Sequence, residues 1–321
     1  MSQAMFEVRV SRKRAEAVDI CSYELVRPDG KALPVFSAGA HIDVQVPGGM
    51  VRQYSLCNDA TLTTHYLIAV LRDPKSRGGS VAMHDALQEG DLLRISEPKN
   101  HFPLVHAAKR SLLMAGGIGV TPILCMAQRL HNTDAEFEMH YCTRSLERTA
   151  FHGRIAGSEF ARRVHFHHDD GPIERKLDIA ALLAQPIEGT HLYVCGPAGF
   201  LEFVLASARK AGWNEGQIHY EFFGAEVVHV DTDVAFDVKI ASTGKVYTIA
   251  ADKSVTTALA EQGVEIPVSC EQGVCGTCLT RVLEGEPDHR DQYLLEEERV
   301  ANDQFTPCCS RARSRLLVLD L

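Results

Sequence analysis

Cys270-Glu271-Gln272-Gly273-Val274-Cys275-Gly276-Thr277-Cys278 places three thiols within nine residues, and a fourth, Cys308, stands beyond 29 intervening positions. This is the C-x4-C-x2-C…C spacing that holds a plant-type [2Fe–2S] centre. Each of the two irons needs two thiolates. One tight loop supplies three of the four and a distant segment closes the cage. A structural zinc site draws its ligands from two short knuckles, a pattern this loop does not have. Cys309 is an alternative fourth ligand, but the spacing favours Cys308. Gly273 and Gly276 let the backbone wrap the centre and turn its amides toward sulfur.

The segments around this loop are β-rich. Residues 235–241 and 245–250 flank a Ser-Thr-Gly turn and read as a hairpin. Residues 255–262 read as a helix capped by Ser254. After the loop come a strand at 279–283, a charged helix around 294–300 and a closing strand at 316–319. The order fits a β-grasp fold. Residues 225–233 read as a linker, so a unit of its own is expected at 234–321.

Upstream the rhythm differs twice. Runs at 35–46, 51–56, 66–72 and 92–96 are separated by turn signals such as Pro47-Gly48-Gly49, and only 81–88 has helical character. An antiparallel β-barrel is expected over 1–103. Beyond Pro103, strands at 111–114, 137–143, 191–195 and 218–223 alternate with helices at 122–130, 177–183 and 200–211. Such alternation means a parallel α/β sheet, expected over 104–224. The fold class is therefore multidomain: barrel, α/β domain and β-grasp domain.

Composition sets the outer limits. The chain has 321 residues, 45% hydrophobic and 23% charged, which is ample for packed cores and speaks against disorder. A net charge of −9 argues against nucleic acid or an anionic membrane as partner. No apolar run approaches the ~20 residues of a membrane span, and residues 1–14 lack the apolar core of a signal peptide. Ten cysteines without an export signal point to metal or redox chemistry in the cytoplasm. The three pieces cut at Pro103 and Gly224 carry 0, −1 and −8. That concentration of charge around the cysteine loop, at Glu271, Glu286 and Asp288, suggests electrostatic steering toward an electron acceptor.

Two further constellations carry chemistry. Ala115-Gly116-Gly117-Ile118-Gly119-Val120-Thr121-Pro122 ends a strand and opens a helix, where backbone amides can approach a pyrophosphate. Cys195-Gly196-Pro197 ends a later strand on the same carboxyl edge, where ligands of such sheets bind. Cys195 alone reads equally as a buried thiol. Arg52-Gln53-Tyr54-Ser55 lies in the barrel, with Arg52 and Tyr54 on one strand face. Arg77-Gly78-Gly79-Ser80 opens a short helix and offers amides to a phosphate. Taken singly, each of these short patterns is as consistent with an ordinary turn or strand.

In this order along the chain, the motifs resemble a flavin reductase of the ferredoxin–NADP reductase superfamily, and residues 233–321 resemble a plant-type ferredoxin. A ferredoxin following such a barrel resembles the phthalate dioxygenase reductase family, which includes vanillate demethylase reductases. The resemblance implies FMN, NADH and a [2Fe–2S] cluster as cofactors. It implies Arg52 on the flavin phosphate with Gly79 and Ser80, Tyr54 against the ring system and Ser55 near its reactive edge. It further places Gly116, Gly117, Gly119 and Thr121 on pyrophosphate and ribose, with Cys195, Gly196 and Pro197 beside the nicotinamide. Glu221-Phe222-Phe223 falls where related proteins place an acidic or aromatic residue near flavin and nicotinamide. Arg144 follows the strand that would face the adenine ribose, and the family implies NADH rather than NADPH.

The parts suit one another: hydride carries two electrons, the cluster accepts one, and a flavin bridges the two. His167-His168 superficially offer metal ligands, but neighbours on a strand face opposite ways, and a solvated loop is expected there. Without an oxygen-activating site, substrate oxidation belongs to a partner. By resemblance that partner is a Rieske-type oxygenase served by a monomeric reductase. A cytochrome monooxygenase as acceptor, or a redox-sensing role, are the alternatives.

Overall fold

The computed structural model describes residues 5–74, 76–172, 176–224 and 232–321. The expected linker at 225–233 lies outside the described residues except for its last two positions. The chain divides into two compact units that meet in sequence at Phe223 and Gly224.

The first unit begins with a six-stranded antiparallel sheet. Its strands are β1 (Met5–Ala17), β2 (Ile20–Val26), β3 (His41–Gln45), β4 (Val51–Ser55), β5 (Tyr66–Leu71) and β6 (Leu92–Ser96), in the spatial order β4-β3-β6-β1-β2-β5. The two ends meet at a bridge between Leu56 and Ile68, and the Cys57 N–H donates to Leu67 O at 2.9 Å. This closes the sheet and removes its edges. Val8, Val10, Tyr23, Leu25, Ile42, Val44 and Ile95 alternate inward to fill the interior. Helix α1 (Gly79–Asp85) plugs one end, with Met83 buried and its carbonyl accepting from the Tyr23 hydroxyl at 2.8 Å.

The β1–β2 hairpin was not among the strands expected from the sequence. Its exposed face is a run of charges, Arg9 to Glu16, which hides the alternation. The strand expected from residue 35 begins only at His41, since residues 35–40 approach it as irregular chain.

The second sheet of this unit is wholly parallel: β7 (Arg110–Gly116), β8 (Phe137–Thr143), β9 (Val164–His168), β10 (Thr190–Gly196) and β11 (Ile218–Phe222), ordered β11-β10-β7-β8-β9. Between them lie α2 (Val120–Asn132), α3 (His152–Ala156), α4 (Ile179–Leu183) and α5 (Ala198–Lys210). β7 and β10 are buried almost throughout, as central strands covered on both faces must be. Pro122 sits in the first turn of α2, where its missing N–H costs nothing. β9 replaces the solvated loop expected at His167-His168. The strand order reverses between β7 and β10, which makes their carboxyl ends the crevice of the sheet.

The second unit is a mixed sheet of β12 (Phe236–Ile240), β13 (Val246–Ile249), β14 (Thr280–Glu284), β16 (Gln304–Phe305) and β18 (Leu316–Leu319), ordered β13-β12-β18-β14-β16. The short pair β15 (Pro287–Asp288) and β17 (Arg311–Ala312) stands apart. β12 and β18 run parallel, and the β12–β13 pair is the expected hairpin. Helix α6 (Val255–Ala260) is capped by Ser254, whose hydroxyl accepts from Thr257 N–H at 3.1 Å, and it packs Val255 and Leu259 onto the sheet. Helix α7 (Glu296–Ala301) carries three glutamates in its first turn, where the helix dipole favours them. Among the described residues, no helix is long and apolar enough to cross a membrane.

Candidate functional site

In the first unit, the candidate residues come from both sheets and converge. β10 pairs with β11 so that Cys195 stands opposite Glu221. From the barrel, Ser55 at the end of β4 directs its hydroxyl at the Glu221 carboxylate, Oγ to Oε2 3.5 Å. Burial pushes the Glu221 carboxyl up to about 8, with the Ser55 contact opposing the shift. Cys195 is fully buried; burial first, then the neighbouring Glu221, hold its thiol well above the ordinary range, so it is a neutral thiol. Glu221, which the family resemblance sets near flavin and nicotinamide and which reads equally as part of a buried final strand, here joins the two sheets through Ser55.

The glycines at the crevice are there because nothing larger fits. A Cβ on Gly119 would lie 2.2 Å from the Cys195 carbonyl oxygen, and one on Gly116 would lie 2.8 Å from the Phe200 ring and 3.0 Å from Pro197. Gly196 faces Gly116 with the same constraint, its Cβ position 3.0 Å from the Gly116 Cα. Gly117 is left-handed at φ 53° with open space around it. The result is a bare backbone floor at the switch point, opening α2. Thr121 turns its hydroxyl back onto Ile118 O at 3.1 Å, which steadies this turn. Pro197 leads into α5 with φ −60° and accepts from Phe200 N–H at 3.0 Å.

A second cradle joins β4 to α1. The stem of Arg52 packs on Gly79, where a Cβ would lie 2.9 Å from Arg52 Cγ. The guanidinium donates to Val51 O at 2.7 Å. Gly78 precedes the helix at φ 93°, a left-handed position that favours glycine. Ser80 Oγ accepts from Asp73 N–H at 3.1 Å and lies 3.0 Å from Ser76 Oγ, so its hydroxyl shapes the loop. Its backbone N–H, in the first helical turn, has no partner within the helix. Tyr54 packs against the barrel core, and burial raises its phenol.

In the second unit Cys270, Cys275, Cys278 and Cys308 are all buried. The Cys270 thiol is in contact with those of Cys275 and Cys308, and Cys308 with that of Cys278. The loop is shaped by left-handed residues: Glu271 at φ 54°, Gly273 at 71° and Gly276 at 66°. A Cβ on Gly276 would strike the Tyr293 ring at 2.2 Å, and one on Gly273 would strike Cys309 Sγ at 2.4 Å. Gln272 N–H donates to Cys270 Sγ at 3.3 Å, and Thr277 Oγ1 lies 3.3 Å from Cys275 Sγ. Cys309 Sγ lies 3.3 Å from Thr306 Oγ1 and is also in contact with the Cys308 thiol. Four convergent buried thiols with an amide already aimed at sulfur fit an iron–sulfur centre. The glycine floor and the Arg52 cradle likewise fit a dinucleotide and a flavin phosphate.

Comparison with known proteins gives the same class. Residues 238–313 match the 2Fe-2S iron-sulfur cluster binding domain, and 96–218 match the N-terminal domain of dimethylamine monooxygenase subunit DmmA-like proteins. The fold and sites define a modular flavin and iron–sulfur oxidoreductase. The chain is 54% identical to vanillate O-demethylase oxidoreductase of Pseudomonas sp. (strain HR199 / DSM 7063), over 99% of this chain and all of that protein. It superposes on phthalate dioxygenase reductase, described as a modular structure for electron transfer from pyridine nucleotides to [2Fe–2S], with TM-score 0.78 and 39% identity over 99% of this chain and 98% of that one. A type IV self-sufficient cytochrome P450 monooxygenase matches with TM-score 0.85 and 38% identity, over 99% of this chain but 41% of its own. The chain belongs to the vanillate O-demethylase oxidoreductase and phthalate dioxygenase reductase family. It is an electron-transfer oxidoreductase with a [2Fe–2S] cluster domain, in a family whose phthalate dioxygenase reductase passes electrons from pyridine nucleotides to [2Fe–2S].

Proposed function

We propose that this protein is the reductase component of a two-component Rieske-type oxygenase acting on an aromatic acid or ether, that it works as a monomer, and that it does so in the cytoplasm. Its ten cysteines, all free, suit a reducing compartment. The observation that carries the reading is the pairing, in one chain, of a glycine-floored nucleotide crevice with four converging buried thiols. Full-length identity to a vanillate O-demethylase oxidoreductase supports the choice of acceptor. The P450 similarity favours the second reading, a cytochrome acceptor, but it spans less than half of that protein.

When bound, FMN and the cluster convert hydride into single electrons. The protein's own residues bind and orient. Arg52 and the first-turn amides of Gly79 and Ser80 hold the flavin phosphate, Tyr54 flanks the ring, and Ser55 with Glu221 borders its reactive edge. Gly116, Gly117, Gly119 and Thr121 receive pyrophosphate and ribose. Cys195, Gly196 and Pro197 wall the nicotinamide with a neutral thiol and bare backbone. Cys270, Cys275, Cys278 and Cys308 ligate the cluster. Asp169 and Asp170 follow β9, and their N–H groups donate to Thr143 O and Arg144 O at 3.0 and 3.1 Å. Acidic residues joined through their backbone to the Thr143–Arg144 segment make it less suited to an extra phosphate on the ribose, in keeping with NADH. The domain limits proposed are 1–103, 104–224 and 234–321, with a linker at 225–233.

The test is reconstitution. Purified protein, NADH and a Rieske-type vanillate demethylase oxygenase should together form formaldehyde and the demethylated acid. Product formation with a cytochrome P450 and none with the Rieske oxygenase would assign the second reading. Light scattering of the same sample checks the monomer.

A further inference from the structure

The β15–β17 pair, set apart from the main sheet, brings two arginines to one acidic residue. Arg311 stands opposite Asp288 in that pair, and Arg290 follows Asp288 two positions on. Both reach Asp233, the last position of the expected linker. The Arg290 guanidinium donates through Nη1 to Asp233 Oδ2 at 2.9 Å and through Nη2 to Oδ1 at 2.5 Å, and Arg311 Nε lies 3.8 Å from the same Oδ1. The side chains of Asp233, Arg290 and Arg311 are only 6%, 15% and 5% exposed. Arg290 Nε also donates to Asp288 Oδ2 at 2.8 Å, and Arg311 donates to the carbonyls of Val234, Ala250 and Lys253 at 3.1, 3.2 and 2.8 Å. Charges taken this far out of water are stabilising only while their geometry is kept, and removing one partner strands the others.

Each arginine is tied to a different half of the thiol cage. On the side of Arg290, Gln292 N–H donates to Gly273 O at 2.9 Å, inside the loop that carries three of the thiols. The same glycine stands against Asp291, where its Cβ would lie 3.0 Å from the Asp291 Cα. The Asp291 carboxylate is fully buried and accepts from Tyr293 and Leu294 N–H at 3.0 and 2.7 Å, which fixes the turn next to Arg290. On the side of Arg311, Ser310 N–H donates to Thr306 O at 3.0 Å, closing the turn that holds Cys308. Ser310 Oγ then accepts from Arg290 N–H at 3.1 Å and joins the two sides. Loop 270–278 thus steadies Arg290, the turn at 306–310 steadies Arg311, and Asp233 has both partners only when the two are in register.

Ligation by Cys270, Cys275 and Cys278 from one segment and Cys308 from the other draws those same two segments together. We propose that Asp233, Arg290 and Arg311 form a latch coupled to the iron–sulfur centre: the finished cage sets the two arginines at the spacing Asp233 bridges, and the closed bridge keeps the cage shut. The latch rests on those four cysteines being the ligands. Attachment of the start of the second unit thereby depends on assembly, closing on a complete cage and loosening when the cage is lost. Such coupling is reciprocal, so breaking the bridge must weaken retention of the centre by the same free energy. A purely structural ion pair would stabilise the unit without acting on the cage more than any other contact does.

Iron release to a chelator, followed by the fading of the cluster absorbance, samples the population whose cage is open. In full-length holoprotein, Asp233→Asn should release iron at least about fivefold faster than the wild type. Its flavin spectrum and NADH–ferricyanide activity should be unchanged. Leu319→Ala, a cavity in the core of the same unit, should lower the melting temperature at least as far and yet release iron at close to the wild-type rate. The double variant Asp233→Asn with Arg290→Gln should fall short of the product of the two single effects, since the pair acts as one. In the other direction, Cys275→Ala should speed hydrogen exchange at the amides of 234–238. Wild-type iron release in Asp233→Asn, equal acceleration in Leu319→Ala, or unchanged exchange at 234–238 in Cys275→Ala lacking the centre would each overturn the latch. A full cluster spectrum in Cys275→Ala would instead overturn the ligand assignment beneath it.

Discussion

The cysteine loop and the nucleotide crevice solve the same problem, holding a charged redox group, by opposite means. The loop is local: three ligands and three left-handed residues lie within 270–278, and the chain conformation itself presents the thiols. The crevice is assembled from β4, α1, the β7–α2 turn, β10 and β11, and no single segment of it means much alone. A local site should fail through its ligands and an assembled site through its spacing. Variants of each kind can break or sharpen that contrast.

The largest expected effect is chemical. Cys275→Ser should cut NADH–cytochrome c reduction by about a hundredfold or more while NADH–ferricyanide activity at the flavin stays within about twofold, since only the cluster is lost. Equal loss of both with flavin retained would mean that the two sites are not used in that order.

Next comes spacing. Gly119→Ala drives a methyl group into the Cys195 carbonyl, a contact between two backbones that cannot both yield. A strain of about 3 kcal/mol corresponds to roughly a hundredfold loss in kcat/KM for NADH. The cluster's visible and EPR spectra should be unaltered. Wild-type NADH kinetics in this variant would refute the close packing of the crevice.

A smaller effect concerns protons. Because burial raises the Glu221 carboxyl from 4.5 to about 8, the folded protein keeps a proton there that the unfolded chain releases. The stability from that protonated group is full below about pH 4.5 and is lost as pH rises through about 8. Urea denaturation of the wild type should show stability falling between about pH 5 and 8 by an amount of order 1–2 kcal/mol, after allowing for the part-exposed position. Glu221→Gln should flatten that slope, and an unchanged slope would place the titration elsewhere.

The smallest effect is electrostatic. Asp288 is held by Arg290 at 2.8 Å and by Arg313 at 3.6 Å, and Arg290 also grips Asp233. Part of the acidity that the sequence assigns to docking is therefore spent inside the unit. Glu271→Gln with Glu286→Gln should reduce the salt dependence of coupled turnover between ~50 and ~300 mM by less than about threefold, and Asp288→Asn should add nothing to it. A further flattening by Asp288→Asn would show that its pairing leaves it available to a partner.

This contrast also explains what the sequence could and could not reveal. The cluster ligands are legible because spacing along the chain is itself the geometry. The parallel strands are legible because central strands are apolar throughout, as in Leu112 to Ala115. The β1–β2 hairpin is hidden by its charges. Ser55 and Glu221 are set near the flavin only by the family resemblance, and their contact across 166 positions is one that no local pattern encodes. His140, His165 and His167 belong together only once β9 is seen to be a strand beside β8.

The parallel pairing of β12 with β18 has a consequence for biogenesis. The strand at 316–319 lies between β12 and β14 in the sheet, so this sheet has a gap in its middle until those residues have been translated. Cys270, Cys275 and Cys278 leave the ribosome some thirty residues ahead of Cys308, an interval of roughly 2–6 s at ordinary elongation rates. For those seconds three thiols are presented on an unfinished scaffold, open to stray metal and to oxidants. Cluster delivery must therefore follow translation of the final strand, and slower elongation through 279–307 would lengthen the exposure and lower the fraction of protein that matures.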